Sequence, residues 1–325
     1  MLNIQRHMAR LVETLVFGGF LGSLFVFSTG CETAPPVPPV PSLESDRLIP
    51  SDTAMQTAKV LVAARPYESK IPDTYNTQKN WPLVILLHGY GANGIAQDVY
   101  FGLGKEVDRL GFLYAYPDGL VDSKGKHFWN ATDVCCDFDN KGVDDVAYID
   151  AIIDDMASRY QVDKKRVYLV GHSNGGFMSH RFACDRSERV AAIVPLAGDN
   201  YKDTSRCTPK QPVAVLQVHG DKDDLVPYEG GTEAGTGRSL PSAIDCVKFW
   251  AGIGGCTLTP DTTVPNVDVD RYLPGAESTV TRFPNCKPGG GAELWTIKGG
   301  VHMPSLGQPT WADQVWSWFA AHPKP

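Results

Sequence analysis

A serine between two glycines is the feature of this sequence with the clearest chemical meaning. Ser173 is the centre of a G-x-S-x-G pentapeptide, residues 171–175, that follows an apolar run and precedes a helix-like pattern. A strand that turns sharply into a helix at such a pentapeptide is typical of a nucleophile elbow, where the turn exposes the serine hydroxyl. The helix N-terminus behind it favours developing negative charge. Ser173 is therefore predicted to be the nucleophile of an acyl-transfer reaction.

A serine hydroxyl needs a histidine as general base, and that histidine needs a carboxylate to orient it. After a nucleophile elbow the acid and then the base come later in the chain. Four histidines follow the serine, namely His180, His219, His302 and His322. His302 comes after the apolar run at 294–297 through a glycine-rich loop, which can place it over a sheet. It is the predicted base.

The acid is expected in the loop that follows the apolar run at residues 213–218. This loop offers three carboxylates, which are Asp221, Asp223 and Asp224. Each of them alone would usually be a solvated loop residue, and spacing slightly favours Asp223. Asp199, which follows the preceding apolar run at residues 191–196, is the alternative acid.

Acyl transfer also needs two backbone N–H groups aimed at the tetrahedral oxygen. Asn174, directly after the nucleophile, is expected to supply one of them. The other is expected from the glycine-rich loop at residues 88–94, where Tyr90 is the predicted donor. The ring of Tyr90 would then lie at the mouth of the site. Trp129 is a second aromatic candidate for the substrate pocket, with core packing as its alternative role.

This chemistry requires neither a cofactor nor a metal ion. Residues 137–142 faintly resemble a calcium-binding loop, but Lys141 replaces one oxygen ligand and Tyr148 replaces the bidentate glutamate. No C-x-x-C pair and no histidine spacing suggests zinc. We therefore expect no cofactor and no metal.

These groups must be positioned by a sheet, and the sequence contains patterns for its strands. Short apolar runs lie at residues 83–87, 112–116, 167–170, 191–196, 213–218 and 294–297. Because their hydrophobicity is continuous rather than alternating, they indicate strands covered on both faces, as in a parallel sheet. Helical patterns alternate with them at residues 143–160, 175–184, 242–250 and 311–320. This order predicts a single α/β domain with a doubly wound, mostly parallel sheet. Residues 257–291 are expected to form a surface excursion.

The N-terminal segment has the pattern of an export signal. Arg6 and Arg10 precede an apolar run at residues 15–27, which is shorter than the about 20 residues of a membrane span. Gly30-Cys31 resembles the end of a bacterial lipoprotein signal, so residues 1–30 are expected to be removed and Cys31 lipidated. Plain secretion and a retained membrane anchor are the alternatives. Residues 31–55 include a proline-rich stretch and are expected to be a linker, with the catalytic domain at 56–325.

The cysteines and the net charge limit the possible environments and partners. Of eight cysteines, the seven besides Cys31 are disulfide candidates in an exported protein: Cys135, Cys136, Cys184, Cys207, Cys246, Cys256 and Cys286. Cys256 and Cys286 flank the same excursion and are the favoured pair. The formal net charge of −7 argues against nucleic acid as a partner. A monomer is expected, anchored to the outer membrane or cell surface through Cys31, or secreted.

Six separated motifs occur together in an order found in one family. They lie at residues 87–91, 129–136, 143–146, 171–176, 219–228 and 299–302. Over roughly residues 65–320 the chain resembles the α/β-hydrolase esterases of the polyhydroxybutyrate-depolymerase and feruloyl-esterase type. The resemblance implies the α/β-hydrolase fold and places the family's aspartate on Asp223. The chain departs from the family pattern beside the base, where Val301 precedes His302 and Met303-Pro304 follows it.

Together these features predict an exported serine carboxylic-ester hydrolase that acts through an acyl-enzyme. Ser173, Asp223 and His302 are its expected catalytic residues, and an ester, polymeric esters included, is its expected partner. Feruloyl esters on plant polysaccharide suit an aromatic wall of Tyr90 and Trp129. A polyhydroxyalkanoate or another polyester is the first alternative. A peptidase and a catalytically inactive surface binding module are the other hypotheses.

Overall fold

The computed structural model describes residues 43–232 and 238–325. The signal peptide predicted for residues 1–30, the lipidation of Cys31 and the first part of the linker lie outside the described residues. A short helix α1 (Leu43–Asp46) and a longer helix α2 (Asp52–Ala64) come first, so α2 begins within the segment predicted as linker. Ser51 caps α2 by accepting a hydrogen bond from the Ala54 amide. None of the described helices has the length and apolarity to cross a membrane.

The site is carried by one large sheet. In chain order the strands of the described residues are β1 (Glu68–Lys70), β2 (Trp81–Leu87), β3 (Leu113–Tyr116), β4 (Leu120–Val121), β5 (His127–Phe128), β6 (Val162–His172), β7 (Ala192–Leu196), β8 (Ala214–Gly220), β9 (Gly231–Thr232), β10 (Ser239–Leu240), β11 (Ser278–Phe283) and β12 (Gly291–Ile297). β4 pairs with β5 and β9 with β10, while the other eight form one sheet in the order β1-β3-β2-β6-β7-β8-β12-β11.

The inner part of this sheet is parallel. From β3 to β12 neighbouring strands run in the same direction, and the edge strands β1 and β11 are antiparallel. Every residue of β2, β7, β8 and β12 is buried, because both faces of the sheet are covered. The predicted fold class, a doubly wound and mostly parallel α/β sheet in a single domain, is confirmed.

Helices cover the two faces of the sheet. After α2 come α3 (Gly94–Phe101), α4 (Val107–Leu110), α5 (Asp145–Arg159), α6 (Asn174–Asp185), α7 (Ala243–Ile253) and α8 (Thr310–Ala321). Ile149 of α5 and Phe177 of α6 pack in one core cluster, whereas Phe101 of α3 and Phe319 of α8 pack in another. Alternate side chains of β2 contribute to the two clusters, as expected for a strand buried between two layers of helices.

The prediction for residues 257–291 is wrong in part. This segment contains β11, which pairs with β12 from Ser278 opposite Ile297 to Phe283 opposite Ala292. Burial alternates along most of β11 because it is an edge strand, so it lacks the continuous apolar run that marks the inner strands.

Three disulfides join six of the seven cysteines that the structure describes. They are Cys135–Cys136, Cys184–Cys207 and Cys256–Cys286. The predicted Cys256–Cys286 pair is confirmed, and it connects the segment after α7 with the segment after β11. Cys246 in α7 is buried and forms no disulfide with any other cysteine that the structure describes.

Candidate active site

Ser173 lies in the turn between β6 and α6, at the carboxyl edge of the sheet. Its backbone has φ 52° and ψ −119°, in the left-handed region that residues with side chains rarely adopt. A Cβ at Gly171 would meet the Gly175 carbonyl, and a Cβ at Gly175 would meet the Leu87 carbonyl. Close packing of backbone against backbone therefore explains both glycines of the pentapeptide, and the turn has the geometry of a nucleophile elbow.

A cavity of about 730 Å³ opens over this turn. Ser173 and His302 both line it, together with the Cys135–Cys136 disulfide. Its other walls are mainly aromatic and aliphatic, with contributions from Tyr90, Tyr100, Phe138, Phe177, Leu225 and Met303. A larger groove, about 870 Å³, lies beside β11, β12 and α8, and no described residue lines both it and this cavity. The smaller cavity is the candidate active site, because Ser173 and His302 line it.

His302 and Asp223 meet because their loops start side by side. β8 and β12 are parallel neighbours whose last residues, Gly220 and Ile297, are paired. His302 Nδ1 lies 2.8 Å from Asp223 Oδ2. The two loops are also joined by the Gly299 amide, which donates to Asp221 Oδ1 at 2.7 Å. The structure thus brings Asp223 to His302 and gives Asp221 a different contact.

The Asp223 carboxylate is held by several donors. Its Oδ1 accepts from the amides of Leu225 and Val226 at 2.9 and 2.8 Å. Burial alone would raise the pKa of Asp223, but hydrogen bonds from His219, His302 and the Val226 amide outweigh burial and hold that pKa well below its usual value. Asp223 is therefore ionised at neutral pH.

Asp199, the alternative acid, has other neighbours. Its Oδ1 lies 3.7 Å from Cys246 Sγ and 3.8 Å from His219 Nδ1. Burial raises the pKa of Asp199 to about 6. The carboxylate in hydrogen-bond contact with His302 is thus Asp223 and not Asp199.

The two amides expected to bind an oxyanion flank the serine turn. In the described part of the chain, the amide nitrogens of Tyr90 and Asn174 donate to no other protein group. Amides in the first turn of a helix have no acceptor within that helix, and Asn174 begins α6. Its side chain is engaged elsewhere, since Oδ1 accepts from the Trp129 amide at 2.7 Å and Nδ2 donates to the Trp129 carbonyl at 2.9 Å.

Two side chains that sequence reasoning missed support the Tyr90 loop. Gln97 Oε1 accepts from the Gly89 amide at 3.0 Å. His88 Nε2 accepts from the Gly119 amide at 2.8 Å, and its Nδ1 donates to the Gly89 carbonyl. Burial lowers the pKa of His88 to about 4, so the ring is neutral at neutral pH. The position of His88 at the end of β2 is the one sequence signal that could have indicated this role.

The aromatic wall of the cavity is built from Tyr90 and Phe138. Tyr90 Oη donates to Asp122 Oδ2 at 2.5 Å, and burial, followed by this carboxylate, raises the pKa of Tyr90 to about 12. The Phe138 ring packs edge-on against the Tyr90 ring with centroids 5.3 Å apart, and the side chain is 40% exposed. The Arg238 guanidinium lies 4.8 Å from the Phe138 ring.

The prediction that Trp129 lines the substrate pocket is wrong. Trp129 is fully buried, and its Nε1 donates to the His88 carbonyl at 3.0 Å. Its ring packs against the His88 ring with centroids 4.9 Å apart. Core packing, the alternative, is its role. Phe138 takes the wall position, and the sequence pattern around it suggested only a weak calcium loop.

That loop is closed by its own hydrogen bonds. The Asp137 carboxylate accepts from the amides of Lys141 and Gly142 at 2.8 and 2.7 Å, while Asp139 accepts from Ser123. Among residues 43–232 and 238–325 no group of histidine, cysteine and acidic side chains could hold a metal ion.

His172, directly before the serine, also supports the site without having been predicted. Its Nε2 donates to the His302 carbonyl at 2.9 Å and so ties the His302 loop to the elbow. Burial lowers the pKa of His172 to about 4, which keeps the ring neutral.

Known proteins resemble this chain in both sequence and fold. The model of the phospholipase/carboxylesterase family matches residues 74–236. Feruloyl esterase B of Piromyces equi is 30% identical over 248 residues, covering 74% of this chain and 43% of that protein. Feruloyl esterase D of Neurospora crassa is 25% identical over 283 residues, covering 81% of this chain and 84% of that protein. Acetyl xylan esterase from Aspergillus awamori superposes with a TM-score of 0.53 at 16% identity, covering 78% of this chain and 92% of that structure.

These similarities support different conclusions about the chain. The chain spans less than half the length of the Piromyces equi relative, and the structural likeness at 16% identity supports the fold alone. The family match covers half of the chain and includes Tyr90, Ser173 and Asp223. The resemblance to α/β-hydrolase esterases of the feruloyl-esterase type is confirmed, and the chain belongs to the phospholipase/carboxylesterase family.

Proposed function

We propose that this protein is a serine carboxylic-ester hydrolase that acts through an acyl-enzyme. The observation that carries the proposal is the 2.8 Å contact of His302 Nδ1 with Asp223 Oδ2, in a cavity that His302 shares with Ser173. His302 Nε2 takes the hydroxyl proton as Ser173 Oγ attacks the ester carbonyl carbon. The carbonyl oxygen becomes an oxyanion, which the amides of Tyr90 and Asn174 stabilise.

Collapse of this intermediate completes the first half of the reaction. The alcohol leaves with the proton from His302, and the acyl group stays on Ser173. Water then attacks the acyl-enzyme by the same route, with His302 again as base and then as acid, and releases the carboxylic acid. The ionised Asp223 holds His302 with its proton on Nδ1 and stabilises the imidazolium that forms in each half.

We propose aromatic esters attached to polysaccharide, such as feruloyl esters, as the substrate class. Support comes from the aromatic wall of Tyr90 and Phe138 and from relatives named as feruloyl esterases. A hydrophobic polyester is the second candidate, because Leu225 and Met303 line the cavity and are 69% and 59% exposed. These exposed apolar side chains at the cavity mouth suit a hydrophobic surface.

Export is proposed together with this activity. Three disulfides in the described residues support an oxidising compartment. Mass spectrometry of the protein from its native host would test lipidation. A diacylglyceryl mass on Cys31 supports the lipoprotein, and a mature chain that lacks it supports plain secretion.

The activity is tested with purified wild-type protein and the variant S173A on methyl ferulate, short p-nitrophenyl esters and a polyhydroxybutyrate film. S205A, at an exposed serine outside the cavity, is the matched control and should hydrolyse as wild type does. Hydrolysis of methyl ferulate without clearing of the film supports the aromatic substrate, and clearing of the film supports the polyester. A fluorophosphonate should label Ser173, whereas no adduct and no hydrolysis would support the inactive binding module.

A further inference from the structure

His219, at the end of β8, lies fully buried beside the Asp223–His302 pair. Its Nε2 is 2.8 Å from the Val226 carbonyl oxygen and 3.3 Å from Asp223 Oδ2. Both of these atoms accept hydrogen bonds. Nε2 must therefore carry a proton, which it donates to the Val226 carbonyl. Asp223 Oδ2, which already meets His302 Nδ1, is the second and more distant acceptor of this N–H group, at 3.3 Å.

On the other side of the His219 ring, a chain of buried hydrogen bonds leads to Nδ1, and its donors point toward that atom. Trp250 Nε1 can only donate, and it lies 3.0 Å from His180 Nδ1. His180 Nε2 then carries the proton that it shares with Gln217 Oε1 at 3.0 Å. Gln217 Nε2 donates to the Gly198 carbonyl at 2.9 Å and faces His219 Nδ1 at 3.4 Å. The interior thus presents a donor to Nδ1, which favours the neutral tautomer with its proton on Nε2.

Protonation of His219 would not remove this contact. The hydrogen bond to Asp223 and the charge of Asp199 raise the pKa of His219 above its ordinary value, against the effect of burial. In the imidazolium the additional proton is on Nδ1, on the side of Asp199 Oδ1, 3.8 Å away. Nε2 keeps its proton in both states, so the donor to Asp223 persists.

We propose that His219 is a positioning residue that acts through Asp223. Its Nε2–H group donates to the Val226 carbonyl and faces Asp223 Oδ2 at 3.3 Å, so it holds both ends of the loop at residues 223–226. The carboxylate then keeps Oδ2 aimed at His302 Nδ1. This inference rests on the proposed function, because Asp223 is assigned there as the acid that orients the base.

The test compares H219Q with H219N, two amides that differ by one methylene. The glutamine amide nitrogen reaches the place of Nε2 and can donate to Asp223, whereas the asparagine nitrogen reaches only the place of Nδ1. We expect kcat on a p-nitrophenyl ester to fall about tenfold to hundredfold in H219N, about 1.4 to 2.7 kcal/mol of barrier. H219Q should retain most of kcat, and KM should change little in both.

A double-mutant cycle separates positioning from general destabilisation. In a D223N background, H219N should cost little further kcat, because the group through which His219 acts has already been changed. W311F is the matched control: it shrinks a fully buried tryptophan of α8 that does not line the cavity, so it should lower the melting temperature and leave kcat unchanged.

The outcomes distinguish the inference from the proposed function. Suppose that the wild-type protein hydrolyses esters. The inference is then wrong if H219N has the kcat of wild type, and also if H219N and H219Q lose kcat by the same factor. Equal losses from H219N in both backgrounds would also overturn it. If wild type has no esterase activity and forms no fluorophosphonate adduct, the proposed function itself fails.

Discussion

Replacing Asp223 by asparagine tests the proposed mechanism most directly. Asp223 Oδ1 accepts from two backbone amides, and Oδ2 faces His302 Nδ1 at 2.8 Å. Asparagine has one carbonyl oxygen, and the two amides will retain it. Its NH₂ group then takes the place of Oδ2 and meets a proton on His302 Nδ1. His302 relieves this clash of donors by moving its proton to Nε2, where it can no longer accept the proton of Ser173.

The expected loss has two causes. A hydrogen bond to a charged group contributes about 1.5 to 3 kcal/mol, so losing it accounts for roughly tenfold to hundredfold in rate. Inversion of the tautomer removes the base as well, and the equivalent change in a well-studied serine triad lowers kcat about 10⁴-fold. We expect D223N to lose kcat by about 10⁴, about 5 kcal/mol of barrier, with the fold retained because Asn is isosteric with Asp.

The assay is steady-state hydrolysis of a p-nitrophenyl ester, with a thermal melt to check folding. E229Q removes the same charge from an exposed position six residues further on and should stay close to wild type. A D223N enzyme within tenfold of wild type would refute the reasoning. So would a larger loss in D199N, because it would make Asp199 the acid.

Three further predictions concern stability. Replacing both Cys256 and Cys286 by serine opens a loop that spans 30 residues, which should lower the free energy of unfolding by about 3 to 4 kcal/mol; an unchanged urea midpoint under oxidising conditions would contradict this. R65M leaves the fully buried Asp145 carboxylate without its 2.7 Å ion pair and should cost about 3 to 5 kcal/mol in chemical denaturation, whereas an isosteric D144N on the exposed side of the same turn should cost much less. Three buried histidines have pKa values that burial lowers from 6.5 to about 4: His88, His172 and His180. Between these pH values the unfolded chain binds more protons than the folded chain, so the free energy of unfolding should fall as pH decreases from about 6.5 to 4, by up to about 3 kcal/mol for each histidine. Asp199, with its pKa raised to about 6, opposes this with one proton, and urea titrations that show constant or rising stability toward pH 4 would contradict the sign.

The features that could be predicted from sequence are local in the chain. The strand, the glycines and the helix around Ser173 lie between residues 162 and 185, and the crowding at Gly171 and Gly175 comes from backbone that any such turn brings together. Buried parallel strands are also visible locally, because a strand covered on both faces must be apolar throughout. The antiparallel strand β11 was missed because an edge strand has no such run.

Long-range contacts decided the rest. Asp223 and His302 are 79 residues apart in the chain. The loop after β8 contains three aspartates, and the sequence alone does not show which of them contacts His302. The pairing of β8 with β12 brings Asp223 to it. Long-range contacts also decide which aromatic residue lines the cavity. Trp129 and Phe138 are both aromatic, but Trp129 is buried in the core and Phe138 is exposed beside Tyr90. Residue type and local pattern determined the kind of chemistry and the class of fold. Only the tertiary structure decided which side chains contact each other, because the burial of a side chain and the direction in which it points are set by contacts between segments distant in the chain.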